Sequence, residues 1–203
     1  MPGAADPLGA ILAGGASRRF GAPKALATVG GRRVVDRVHD ALAAVTGAPV
    51  LIANDPALFP DFAEWRADEV AGVGPLAGIA TALRWAAERG AGGALCVACD
   101  MPFVEPELLR LVLARAGGAD AVLPESGGRR GVEPLCAWYS TDALPAIDRM
   151  MADGEHALYL LADRVRAARV PLAEVEACGD PSILFLNINT PEDHQRAERI
   201  AGR

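Results

Sequence analysis

Short apolar runs alternate with longer runs of helical period along almost the whole chain. Leu8-Gly9-Ala10-Ile11-Leu12-Ala13 is apolar without a break, which fits a buried strand. A helix follows from Val34 to Ala44. Strands are then predicted over Pro49–Ala53, ending at Asn54, and more weakly over Glu64–Ala67, ending at Asp68. Gly72–Pro75 reads as a loop and Leu76–Glu88 as a helix. Ala94–Ala98 is a strand that ends at Asp100; Pro106–Ala116 is a helix with proline in its first turn, where the missing N–H costs nothing. Ala119–Pro124 is the next strand. The alternation then pauses: Ser126–Gly131 reads as a hairpin or flexible loop, and Pro134–Tyr139 returns as a strand. Helices are expected near Asp142–Met151 and Ala157–Ala162, further strands at Ala168–Pro171 and Ile183–Leu186, and a closing helix over Pro191–Ile200 with Thr190 as its N-cap.

Strands that alternate with helices imply an α/β fold: a Rossmann-like three-layer α/β/α arrangement, mostly parallel, with a small antiparallel excursion at the pause. In such sheets ligands bind beyond the carboxyl ends of the strands. Gly14, Asn54, Asp68 and Asp100 each stand just past such an end, so four strands deliver glycine or polar groups to one edge.

The first strand leads into Leu12-Ala13-Gly14-Gly15-Ala16-Ser17-Arg18-Arg19-Phe20-Gly21-Ala22-Pro23-Lys24. Two glycines let backbone N–H groups close around an anion, and Arg18, Arg19 and Lys24 add positive charge. Lys24 is the only lysine in the chain; every other basic residue of this type is arginine. A compact ammonium differs from a guanidinium in geometry, so its retention inside this loop points to a triphosphate cradle. The spacing is neither that of the P-loop, which places Gly-Lys-Ser/Thr together, nor the G-x-G-x-x-G of dinucleotide folds.

With 203 residues, 51 % of them hydrophobic and 23 % charged, the chain is expected to form one globular domain, 1–203, with a full core. Its net charge of -6 argues against nucleic-acid binding. Six basic residues nevertheless fall between Arg18 and Arg37, a local excess that suits a small polyanion. The N-terminus carries no signal-peptide pattern and no apolar run reaches membrane-spanning length, so a cytoplasmic protein without membrane partners is expected. Cys96 and Cys99 form a C-x-x-C, but three residues apart along a strand they face opposite sides, and no second pair completes a zinc site. Reduced thiols are the simplest account.

Asp100, in Cys99-Asp100-Met101-Pro102, is a single carboxylate opposite the glycine-rich loop and suits Mg²⁺, which commonly takes one or two carboxylates plus phosphates and waters. No Ser-His-Asp arrangement is evident, and His39, His156 and His194 are scattered. Nucleotidyl transfer needs no protein nucleophile when the second substrate brings its own phosphate. The asparagines Asn187 and Asn189, in Asn187-Ile188-Asn189-Thr190-Pro191, are two of only three in the chain; turn and capping chemistry accounts for Asn189 equally well.

Together these segments resemble the molybdenum cofactor guanylyltransferase family. The resemblance rests on Leu12–Gly15 through Lys24-Ala25-Leu26, on Asp68, on Gly74-Pro75-Leu76-Ala77-Gly78, on Cys99–Phe103, on Glu133–Tyr139 and on Asn187–Asp193, in that order along nearly the whole chain. It implies a fold like that of nucleotide-diphospho-sugar transferases and a magnesium-dependent transfer of GMP from GTP to the terminal phosphate of molybdopterin or its molybdenum-loaded form, releasing pyrophosphate. By position it implies that Leu12, Ala13, Gly14, Gly15 and Lys24 hold the nucleotide and its phosphates, with Arg18 beside Lys24 in the catalytic loop. Asn54 and Asp68 would bind the nucleoside, and Gly78 with its loop would lie against the base. Asp100 would bind nucleotide and Mg²⁺, and Asn187 and Asn189 would face the pterin. A short-lived contact with a molybdenum-insertion protein or molybdoenzyme chaperone, and a monomer or weak oligomer, are also implied. The alternative keeps the chemistry but takes CTP or another phosphorylated acceptor, such as a sugar phosphate or phospholactate. The chain departs from the family pattern at Pro23 and Phe20, where relatives often carry Asp and Met.

Overall fold

A computed structural model describes residues 6–14, 26–70, 73–128 and 130–202. Gly15, Arg18 and Lys24 of the glycine-rich loop lie outside the described residues. The strands are β1 (Leu8–Leu12), β2 (Thr28–Val29), β3 (Arg32–Arg33), β4 (Val50–Ile52), β5 (Trp65–Arg66), β6 (Gly93–Ala98), β7 (Ala121–Pro124), β8 (Cys136–Ser140) and β9 (Ala167–Val170). The helices are α1 (Val34–Thr46), α2 (Pro75–Glu88), α3 (Pro106–Ala114), α4 (Leu144–Ala152), α5 (Leu172–Cys178), α6 (Pro181–Leu184) and α7 (Pro191–Ala201).

Seven strands form one sheet in the order β5-β4-β1-β6-β8-β7-β9, and β2 pairs with β3 in a separate hairpin. The contacts β5–β4, β4–β1, β1–β6 and β7–β9 are parallel; β8 alone runs antiparallel, to β6 on one side and β7 on the other. Side chains alternate strictly across the sheet. Leu8, Ala10 and Leu12 of β1, Ala94 and Cys96 of β6, and Ala137 and Tyr139 of β8 pack with α2 and α4 on one face. Ile11, Leu95, Val97, Cys136 and Trp138 pack with α1, α3 and α5 on the other. Buried on both faces, the central strands read as unbroken apolar runs, as parallel strands do. Cys96 belongs to the first face and Cys99 packs against the second, so the C-x-x-C does straddle the sheet. Burial pushes the Cys96 thiol up to about 12.

Two expectations are corrected, and two elements appear that the sequence did not announce. Ile183–Leu186 is not a strand: Asp180 caps the short helix α6 by accepting the Ser182 N–H, and Pro181 opens it. The apolar residues there are buried by a turn rather than a sheet. Ala157–Ala162 becomes a 3₁₀ segment over Leu158–Asp163. Helix α5, which follows directly after Pro171, was not expected. Nor was the β2–β3 hairpin, whose strands are two residues each; Gly30 and Gly31 both take positive φ, 58° and 74°, as a tight hairpin turn requires. This hairpin leans on α7. His194 Nε2 lies 2.7 Å from the Thr28 carbonyl, the Gly30 N–H donates to Glu198, and Arg37 donates to the Val29 carbonyl. Val29, Val34, Leu186, Ile188 and Ala197 form a small core of their own beneath it. Thr190 caps α7 as expected, in a reciprocal box with Asp193.

At the far edge, Asp120 ties β7 to β9 by accepting from the Arg166 backbone N–H at 2.9 Å and from its guanidinium. The Arg166 hydrogen bonds hold the Asp120 carboxyl below its usual range. A carboxylate with a depressed folded pKa contributes stability above its unfolded value, near pH 3.9, and loses it as pH falls through the folded value. Asp120→Ala is therefore expected to lower Tm by a few degrees at pH 7. In thermal melts the difference from the parent should shrink below about pH 4; a difference that stays constant in acid would reject the ion pair as its source.

Candidate active site

The carboxyl ends of β1, β4, β5 and β6 meet as expected, and each is pinned to its neighbour. The Ala13 N–H donates to the Ile52 carbonyl, Ala53 N–H to Arg66, and Cys99 N–H to the Leu12 carbonyl. Leu12, Ala13 and Gly14 therefore leave the sheet on a fixed course between Asn54 on one side and Asp100 on the other.

Asp68 is the most constrained carboxylate at this edge. Its backbone N–H donates to Asn54 Oδ1 and its Oδ2 accepts from Asn54 Nδ2, both at 2.9 Å. The next residue, Glu69, donates its N–H to the hydroxyl of buried Thr81 in α2. Two glycines make room for the carboxylate: a Cβ on Gly14 would lie 2.6 Å from Oδ2, and one on Gly78 3.3 Å from Oδ1. Oδ1 is buried and takes no hydrogen bond among the described residues. Burial raises the Asp68 pKa, with the Asn54 hydrogen bond pulling it back. An unsatisfied acceptor so held is costly unless a donor arrives.

Asp100 is half-buried beyond β6. Its backbone carbonyl accepts the Ile188 N–H at 3.0 Å, which fastens the Asn187–Asn189 segment to the same edge. Asn187 donates its amide to the Phe185 carbonyl, while Asn189 is exposed, its backbone N–H bound to Asp193 in the α7 cap. Capping chemistry thus explains part of the Asn189 position.

Sequence reasoning assigned no role to Glu133. Because β8 is reversed, the residues before it arrive at the edge where the parallel strands end. Tyr139, fully buried, donates its hydroxyl to the Pro134 carbonyl at 2.8 Å and fixes that turn. Glu133 Oε1 accepts the Leu135 N–H. Burial raises the Glu133 pKa, the Asp100 charge adds to the rise, and the Leu135 N–H and Arg130 oppose it. Two carboxylates that repel across a desolvated edge suit a divalent cation, with hard oxygen donors of the type such ions prefer. No cluster of three or more His, Cys, Asp or Glu side chains fit for a metal exists among the described residues, so the remaining ligands would be phosphate and water. The carboxylates present fit a divalent cation.

A parallel sheet with a glycine-rich loop after its first strand, acids after two others and a reversed strand delivering a further acid defines a nucleotidyltransferase fold. Residues 9–169 match the model of the MobA-like NTP transferase domain, and the chain belongs to that family. It is 35 % identical over 206 residues to a molybdenum cofactor guanylyltransferase of Desulfosudis oleivorans, covering 96 % of each chain. It is 39 % identical over 210 residues to one of Rhodopseudomonas palustris, covering 97 % of this chain and 93 % of that one. Among solved structures it is similar to molybdopterin-guanine dinucleotide biosynthesis protein A from Archaeoglobus fulgidus, with a TM-score of 0.81, 30 % identity, and 96 % and 98 % of the two chains covered. No helix among the described residues is long and apolar enough to cross a membrane.

Proposed function

We propose that the protein transfers GMP from GTP to the terminal phosphate of molybdopterin, bare or molybdenum-loaded, giving the guanine dinucleotide and pyrophosphate in the presence of Mg²⁺. The observation that carries this is the Asp68 carboxylate held between Gly14 and Gly78 with Oδ1 unpaired among the described residues. Guanine offers an N1–H and a 2-amino group on one edge, both donors to a carboxylate. Cytosine presents acceptors at N3 and O2 on its corresponding edge and satisfies it less well. The names carried by the relatives support the same base and acceptor.

In this reading Asn54 positions Asp68, and the backbone from Leu12 to Gly15 with Arg18 and Lys24 holds the phosphates. An oxygen of the acceptor phosphate attacks the α-phosphorus of GTP; a new P–O bond forms as the α–β bond breaks, and the electron pair leaves on pyrophosphate. Asp100 and Glu133 would hold Mg²⁺, which supplies neutralisation of charge on the phosphates when bound. Asn187 and Asn189 face the acceptor side. No protein nucleophile is needed, so catalysis is positioning and electrostatics.

Purified protein given Mg²⁺, molybdopterin and either GTP or CTP tests this, with the product read by mass. The guanine dinucleotide with pyrophosphate is expected. A cytosine product would overturn the base assignment, and no product with either nucleotide would overturn the acceptor.

A further inference from the structure

Helix α2 packs on the sheet with an apolar face that includes Leu76, Ile79, Ala80, Ala82 and Leu83. Thr81 stands among them with no exposed surface. Aromatic and cysteine side chains apart, the buried polar residues among those described are Thr81 and Asp120, and Asp120 is accounted for by Arg166. A buried hydroxyl costs free energy unless it is hydrogen-bonded. Thr81 bonds in two directions. Its hydroxyl donates to the Ala77 carbonyl, one turn back, at 3.0 Å and accepts the Glu69 N–H at 3.1 Å. The first is a local bond that threonine commonly makes in helices. The second leaves the helix and grips the residue next to Asp68. We infer that Thr81 is a positioning residue for the nucleotide: its hydroxyl fixes the backbone at Glu69 and so sets how far the Asp68 carboxylate reaches past Gly78 toward the base. The inference rests on the reading of Asp68 proposed above and adds the residue that governs its placement without touching the ligand.

Two consecutive backbone amides are fixed here by side chains from different elements. The Asp68 N–H donates to Asn54, just beyond β4, and the Glu69 N–H donates to Thr81 of α2. Asn54 grips Asp68 itself and leaves the chain beyond it free to swing; Thr81 removes that freedom one residue later. Thr81 lies three residues after Gly78, so the two share one face of α2. Gly78 supplies the gap for Oδ1, which stands 3.3 Å from the place of a Cβ, and Thr81 supplies the anchor beside it. A second tie between this segment and α2 is weaker. Glu69 pairs with Arg84 at 3.1 Å, but the two side chains are 45 % and 31 % exposed, and Arg84 also pairs with Asp148 of α4 at 2.6 Å. A part-exposed pair shared with a second acid holds a side chain loosely, whereas Thr81 holds the backbone. Valine carries the same β-branch, so covering the sheet does not by itself call for threonine at this position.

The test pairs Thr81→Val, which loses the hydroxyl, with Thr81→Ser, which keeps it. Calorimetric titration of the full-length protein with GTP and Mg²⁺ should show binding weakened about tenfold by Thr81→Val, the scale of leaving one buried N–H unpaired, and within about twofold of the parent in Thr81→Ser. In turnover the loss should fall on KM, with kcat within about threefold of the parent, because the contact is the same in the ground and transition states. In an Asp68→Asn background Thr81→Val should cost little more, the non-additivity of two residues that act through one contact. A measurement without nucleotide accompanies these. With ¹³C-labelled aspartate, the Asp68 carboxyl resonance, identified by its loss in Asp68→Asn, should titrate at lower pH in Thr81→Val, because burial holds that pKa up and release returns the group to water. GTP affinity and Asp68 titration both unchanged in Thr81→Val would overturn the inference. So would an equal loss in Thr81→Ser, or a full additive loss in the Asp68→Asn background. A parent that binds no guanine nucleotide, with the Asp68 titration still shifted in Thr81→Val, would instead reject the nucleotide reading and leave the hold of Thr81 on Asp68 standing.

Discussion

Asp100→Asn is expected to leave a folded protein that binds guanine nucleotide and turns it over roughly 10²–10³-fold more slowly, the scale of removing one preorganised electrostatic partner. The substitution separates chemistry from architecture. What holds Ile188, and with it Asn187, is the Asp100 backbone carbonyl, which an asparagine retains. The side chain instead adds to the desolvated negative charge that raises the Glu133 pKa. Removing that charge relieves this repulsion while activity falls, a trade-off common at functional sites, and Tm measured beside turnover separates the two effects. Manganese titration followed by electron paramagnetic resonance supplies the second readout, with weaker binding expected in the variant. A fall in Tm with metal affinity intact would make Asp100 a structural residue, and turnover within threefold of the parent would remove it from the site.

The second large effect is expected at Gly14. A methyl group there would sit 2.6 Å from Asp68 Oδ2, closer than packing allows, and the carboxylate cannot retreat freely because Asn54 holds Asp68 twice, donating to Oδ2 and accepting from the Asp68 backbone N–H. Gly14→Ala should displace Asp68 by a large fraction of an ångström and reduce kcat/KM for the nucleotide by about 10²-fold, as misplacement on that scale does. Gly78→Ala provides the internal comparison. Its Cβ would stand 3.3 Å from Oδ1, so a shift of a few tenths of an ångström suffices, and alanine favours the interior of α2 where Gly78 lies. The expected order is a large kinetic loss at Gly14, a small one at Gly78, and no matching order in Tm. Equal effects at both, or none at Gly14, would detach Asp68 from nucleotide recognition.

The edge proposed for the nucleotide was legible in the sequence because its signals are local. Unbroken apolar runs mark Leu8–Leu12, Val50–Ile52 and Gly93–Ala98, and the rule that ligands collect beyond parallel strand ends then brings Gly14, Asn54, Asp68 and Asp100 together without further information. The side proposed for the acceptor was not legible to the same degree. An apolar run such as Cys136–Ser140 does not encode the direction in which its strand is inserted, and that direction alone puts Glu133 next to Asp100. Helices α5 and α6 are seven and four residues long, too short for a helical period to show. For α6 the usable signal was Asp180-Pro181, a cap followed by a first-turn proline, which competes with the apolar character of Ile183–Leu186. The β2–β3 hairpin offered only Gly30-Gly31.

The position of β8 has a consequence for synthesis as well as for catalysis. Strands β6 and β7 follow each other in the chain with only α3 between them, yet the slot that separates them is filled by a strand made later. Until residue 140 has emerged, one flank of Gly93-Ala-Leu-Cys-Val-Ala98 presents open backbone hydrogen-bonding groups and no charge to deter a second strand. The nascent chain is thus exposed to edge-to-edge association at the seam between β6 and β7. Completion of β8 both closes that edge and brings Glu133 within electrostatic reach of Asp100.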